Sequence, residues 1–285
     1  MSGFEAVDAA GIELGEHPIW DPERERVGWV DVFAGQLRWV AGEGIDIWDF
    51  PAPLGAAAMR RGGGVVAAAG SGIHFRDAAG GTDREPIIGL LSAGVRFNDG
   101  ACDPAGNFLC GTMATDGAPG RGRLYRVTPD GGVETLASGI SESNGLSWSP
   151  DGETMYYVDS AEPVVRRYRY RADAVPERER NLCSIDGGGT PDGICADAEA
   201  AIWIAIWERG ELWRVSPAGE TLAIVQTPVS RPTCPSFGAP GLKRLFLATA
   251  WEGMSELERR GEPYAGHLLA YDPPVPGIAA PAFAG

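Results

Sequence analysis

Residues 144–159 read NGLSWSPDGETMYYVD. The stretch opens on a polar residue, crosses a short apolar segment, turns at Ser-Pro-Asp-Gly and leaves as TMYYVD. Pro, Asp and Gly at the centre set up a tight turn. The β-branched and aromatic run after it has the composition of a strand. The same plan recurs as EHPIWDPERERVGWVD (16–31), NDGACDPAGNFLCGT (98–112) and DGICADAEAAIWIA (192–205). Weaker copies are TCPSFGAPGLKRLFLAT (233–249) and AAAMRRGGGVVAAAG (56–70). Their turns align at Asp21, Arg61, Asp103, Ser149, Asp197 and Gly238, at intervals of 40 to 48 residues.

That interval fits one four-stranded propeller blade per repeat. Six repeats fill the chain, so the expected fold is all-β: a six-bladed β-propeller with four-stranded antiparallel blades. It forms a single domain over residues 1–285, with a Pro-rich tail (273–285) on the surface. The segment before Glu16 has no blade of its own. It is expected to supply a strand to the last blade, because an open ring would leave two bare sheet edges.

Composition agrees with this plan and excludes several others. Gly (41) and Pro (22) are abundant among 285 residues, as a fold of many short elements requires. A net charge of −15 repels phosphate backbones, so neither nucleic acid nor an anionic membrane surface is an expected partner. Five cysteines without a CxxC pair argue against a disulfide framework and against a thiolate zinc site. No signal-peptide pattern and no bilayer-spanning apolar run occurs, and a reducing cytoplasm is the expected location. There is no GxSxG elbow for a serine hydrolase. RGGG (61–64) and DGGGT (186–190) match neither nucleotide-binding pattern.

The chemistry lies five residues before each turn, where the four clear repeats carry Glu16, Asn98, Asn144 and Asp192. The weak repeats place Ala56 and Thr233 there. Positions equivalent by the propeller axis point into one channel, so four oxygen donors are expected to converge. Asn or Asp before Gly is also an ordinary turn start. Glu is not, and four donors in one register favour a shared site. Two carboxylates buried together need a compensating charge. A divalent cation supplies it. Hard oxygen ligands suit Ca²⁺, Mg²⁺ or Mn²⁺, with Zn²⁺ or Fe²⁺ as alternatives.

These segments also resemble the senescence-marker-protein / gluconolactonase / luciferin-regenerating-enzyme-like family, which includes regucalcin and bacterial sugar lactonases. The matching stretches are LGEHPIWD (14–21), RFNDGACDPAGNFLCGTM (96–113), SNGLSWSPDG (143–152), TPDGICAD (190–197) and RPTCPSFG (231–238). The resemblance implies a metal held by Glu16, Asn144 and Asp192, with Asp192 as proton donor and acceptor. A hydroxide on the metal is the alternative base. It further implies substrate contacts from Arg96, Asn98 and Asp99, and opening of a small sugar lactone to its aldonic acid. Some family members carry a substrate-touching Glu just after the GTM segment. Here the segment reads GTMATDGAPGRG (111–122), leaving Asp116 as the candidate at the pocket rim. Trp207 and Trp251 end strands near loops and are further pocket candidates, while most other tryptophans are expected between blades. The competing readings are a propeller that only binds a ligand or protein, and a propeller hydrolase of non-sugar esters.

Overall fold

The computed structural model describes residues 3–8, 11–42 and 44–285. The described residues form six antiparallel sheets. Their first strands are Gly15–Asp21, Leu54–Met59, Val95–Cys102, Ser143–Trp148, Thr190–Ala196 and Pro232–Gly238. Each first strand packs against the first strand of the next blade, and the sixth packs against the first. The result is a six-bladed β-propeller with these strands around its central channel. The outer strands are exposed by comparison: Glu177–Ser184 turns mostly charged and polar residues to solvent, and Thr221–Gln226 exposes Leu222 and Ile224 beside Thr221 and Gln226.

The sixth blade consists of Pro232–Gly238, Arg244–Thr249, Leu269–Tyr271 and, from the other end of the chain, Glu5–Ala6. Glu5 pairs with Ala270 and Ala6 with Leu269. The N-terminal strand closes the ring in the expected way and covers the edge of the last blade.

Five blades have four strands. The second has three: Leu54–Met59, Val65–Ala69 and Gly72–Arg76. After Arg76 the chain reads DAAGGTDREPIIG (77–89), whose Gly, Pro and charged residues do not sustain a ladder. Only an isolated bridge, Ile73 to Ile87, marks the place of a fourth strand.

The repeated turn aspartates have a structural reason. Asp103 accepts from the Asn107 backbone (2.8 Å), the Asn107 amide (2.7 Å) and the Tyr170 hydroxyl (2.6 Å). Asp197 accepts from the Ala201 backbone (3.0 Å), the Trp203 indole (3.1 Å) and Arg214 Nε (2.7 Å). Each buried carboxylate thereby pins the hairpin between the first and second strands of its blade. Between blades the core is aromatic and aliphatic, with Trp29, Trp39 and Trp203 fully buried. Among the described residues helix is limited to Glu256–Gly261 and a short 3₁₀ turn at Pro240–Leu242.

The C-terminal tail runs from the sixth blade back across the fold. Its Gly277 amide donates to the Leu242 carbonyl (2.8 Å), and the Phe283 amide to that of Met59 (2.8 Å). Phe283 is fully buried against Phe75, with ring centroids 5.9 Å apart, in the core of the second blade. The short second blade therefore takes part of its packing from the chain terminus. Phe283→Ala should cost about 3–5 kcal/mol of unfolding free energy, measured by urea denaturation. A cost below 1 kcal/mol would mean that the tail is dispensable to the core.

Candidate active site

The six inner strands share a local irregularity. Their pairing with the second strand slips at Glu16/Ile19, Leu54/Ala56, Asn144/Leu146, Pro191/Ile194 and Pro232/Pro235. In the third blade it slips between Cys110 and Thr112, where Asn98 and Asp99 together oppose Gly111. A bulge of this kind bends the strand and re-aims its side chains. Repeated six times at one level, it turns the aligned positions toward the channel. The Asn-Gly and Asp-Gly pairs are thus strand bulges, not loop turns. Their glycines serve close approach: a Cβ on Gly145 would lie 2.6 Å from the Asp192 carbonyl, and one on Gly193 2.7 Å from the Cys234 backbone.

Glu16, Arg96, Asn98, Asn144 and Asp192 line one pocket of about 150 Å³. The structure brings together all four aligned oxygen donors and Arg96. It separates two other candidates from them. Asp99 points the opposite way along the channel, where its Oδ1 lies 2.8 Å from His17 Nε2. Both border a larger cavity of about 730 Å³ on the other face. Asn98 and Asp99 are the unpaired residues of the bulge, and the bulge sends their side chains apart. Asp116 is exposed in the loop beyond Phe108–Ala114, 3.6 Å from Arg121 Nη1, and does not line the pocket. Trp207 does line it, whereas Trp251 packs under the Arg259 guanidinium, 3.8 Å from the ring centre.

The polar side chains are oriented by a one-way relay of hydrogen bonds. A guanidinium can only donate. Arg96 Nη1 donates to Asn98 Oδ1 (2.6 Å), which leaves the Asn98 amide nitrogen to donate to Asn144 Oδ1 (2.9 Å). Asn144 Nδ2 then donates to Ser160 Oγ (2.8 Å), and Ser160 donates to the Pro191 carbonyl (2.7 Å). Both amides are locked in one sense. Ser160 holds the nitrogen of Asn144, so its oxygen faces the pocket.

The carboxylates are strained electrostatically. Burial pushes the Glu16 carboxyl up to about 8; Asp99 adds to the shift, while His17 and Arg96 offset part of it. Burial, then Glu16 and Glu142, raise Asp192 well above the usual carboxylate range. Asp192 Oδ1 is buried and has no hydrogen-bond partner. Burial likewise lowers Arg96, against the opposing pull of Glu252 and Glu142. His17 adopts a left-handed conformation (φ 46°), unusual for a residue with a side chain. Its backbone N–H reaches Glu16 Oε2 at 3.3 Å.

An unpartnered buried carboxylate oxygen, a second buried carboxyl and an amide oxygen held inward fit a divalent cation with oxygen ligands. Among the described residues no group of three His, Cys, Asp or Glu side chains is arranged to hold a metal. The donor set accordingly depends on Asn144. Sequence reasoning did not reach Ser160, Glu142 or Glu252, which complete the pocket. Each sits outside the aligned position, where the repeat carries no signal.

Fold and site together define a propeller with one acidic, oxygen-lined chamber on its axis. The chain belongs to the SMP-30/gluconolactonase/LRE-like family, whose model matches residues 14–251. It is similar to a 6-deoxy-6-sulfogluconolactonase of Pseudomonas putida, 34% identical over 95% of each chain. A pentonolactonase of Haloferax volcanii is 35% identical over 88% of this chain and 86% of its own. Among solved structures, a calcium-binding regucalcin from Agrobacterium tumefaciens superposes with a TM-score of 0.90 at 27% identity, covering 98% of this chain and 96% of the other.

Two outcomes follow from the electrostatics. With chelator present, the folded protein retains the Glu16 proton between the ordinary value of 4.5 and about 8, where the unfolded chain has released it. Stability gained by that group is complete below 4.5 and is lost as pH rises through 8. The melting temperature of metal-free protein should therefore fall between pH 5 and 8, and a saturating divalent cation should flatten the slope. Ser160→Ala should weaken divalent-cation binding by about 10- to 100-fold in calorimetry, as loss of a group that orients a ligand does. Ser160→Thr, which keeps the hydroxyl, should restore it.

Proposed function

We propose that the chain is a divalent-metal-dependent hydrolase that opens a sugar lactone to the corresponding aldonic acid. The observation that carries the reading is the pairing of Glu16 with the unpartnered Oδ1 of Asp192, beside the inward-held oxygen of Asn144. Family membership supports it, since relatives of this chain are named for lactone hydrolysis. Glu16, Asn144 and Asp192 are the proposed ligands, and Ca²⁺, Mg²⁺, Mn²⁺, Zn²⁺ and Fe²⁺ the candidate ions. A cation bound there supplies charge to polarise the lactone carbonyl, a contribution of several kcal/mol.

The chain's own residues do the rest. Asp192 would hold the ion through one carboxylate oxygen and take the attacking water's proton on the other, since its Oδ1 carries no competing hydrogen bond. As the water oxygen bonds to the carbonyl carbon, the ring C–O bond breaks, and the same carboxyl returns the proton to the ring oxygen. Burial raises the proton affinity of that carboxyl, and a bound cation would offset the effect. Arg96 and Asn98, already hydrogen-bonded to one another, present a fixed edge to sugar hydroxyls and restrict the bound orientations. Trp207 forms an apolar wall.

Chelator-stripped protein should open aldono-lactones only after a divalent cation is restored, in a pH-indicator assay with cation-only controls. Turnover of aryl esters alone would redirect the assignment to non-sugar substrates. Neither turnover nor cation binding would favour a non-catalytic propeller. Asp192→Ala should lower kcat/KM by at least ~100-fold, the usual weight of a positioned acid–base group. The metal-free variant should melt no lower than the parent, because burial opposes the charge that is removed. Retained activity would place the proton transfer elsewhere.

A further inference from the structure

The pocket's charges point to a preference that the metal reading alone does not contain. Four carboxyl groups line it, from Glu16, Glu142, Asp192 and Glu252, against one guanidinium, that of Arg96. If Glu16 and Asp192 are matched by a dication, as proposed above, two further carboxyl groups, of Glu142 and Glu252, face the single guanidinium of Arg96.

Both extra acids stand on fixed backbone. The Glu142 amide donates to Asp159 Oδ1 (2.9 Å), and its carbonyl accepts from the Ser160 amide (2.9 Å). The Glu252 amide donates to the Glu13 carbonyl (3.0 Å), and its own carbonyl accepts from Arg231 Nη1. Arg231 is otherwise engaged over the Trp207 ring, 5.2 Å from its centre, and with Glu208 at 3.4 Å. It does not line the pocket and offers no second cationic contact there.

We infer that the site selects uncharged polyhydroxy lactones and rejects lactones bearing a second anionic group, such as a phosphate, sulfonate or carboxylate. Glu142 and Glu252 are the specificity determinants. A carboxylate accepts hydrogen bonds from hydroxyl groups, so both acids reward a neutral sugar and repel an anion. Juxtaposed like charges in a partly dry pocket separate substrates strongly, and added salt weakens the effect. This inference rests on the lactone-hydrolase reading and refines its substrate class.

The test compares one ring in two charge states, glucono-1,5-lactone and its 6-phosphate, with the intact metal-loaded protein. The expected result is a kcat/KM at least ~10-fold higher for the uncharged lactone. Glu252→Gln and Glu142→Gln should each narrow that ratio, and so should high salt. Equal or faster turnover of the phosphorylated ring would overturn the inference while leaving the hydrolase reading intact. A neutral preference unchanged in both variants would overturn the roles of Glu142 and Glu252. Failure to open either lactone would remove the hydrolase reading and this inference together.

Discussion

Ring closure is the constraint on which the rest of the molecule depends. Two residues, Glu5 and Ala6, pair with Ala270 and Leu269 and join the two ends of the chain into one blade. Only a closed ring makes the six inner strands equivalent about one axis. The bulges can then aim side chains from blades hundreds of residues apart at a common point. The C-terminal tail repeats the device on another part of the ring: Phe283 fills the second blade, which has one strand fewer than its neighbours. Termini that would ordinarily fray thus carry structural contacts at two places.

Convergence on the axis has an electrostatic cost. Glu16 and Asp192 are buried in the same chamber; burial raises the proton affinity of both, and Glu16 raises that of Asp192 further. A fold selected for stability alone would place apolar residues there, as the second blade does with Ala56. Strain at one place and order around it belong together. The relay from Arg96 through Asn98, Asn144 and Ser160 leaves no freedom in either amide. A rigid polar frame around uncompensated charge is the arrangement expected of a site built to receive a ligand.

The channel also divides by face. Asn98 looks into the small acidic chamber, and its neighbour Asp99 pairs with His17 above the larger cavity of the other face. Motif spacing treats Asn98 and Asp99 as a unit, yet the bulge they form sends them to different sides. Asp116 shows the same limit. A loop residue carries no register, and here it settles on Arg121 at the surface.

The sequence by itself determined the blade number, the antiparallel architecture, the closing strand and the level of the four donors. All of these follow from periodicity: turns recur at 40 to 48 residues, and a side chain's place in the repeat sets its height on the axis. Only the tertiary structure decided which face each bulged residue serves, which amide edge points inward, and which loop acids join the pocket. Those depend on bulge geometry, hydrogen-bond direction and the meeting of loops from different blades. Ser160, Glu142 and Glu252 come from connecting segments after Thr154–Asp159, Val133–Ile140 and Arg244–Thr249, and no local pattern brings them together. Their proximity exists once the ring is closed.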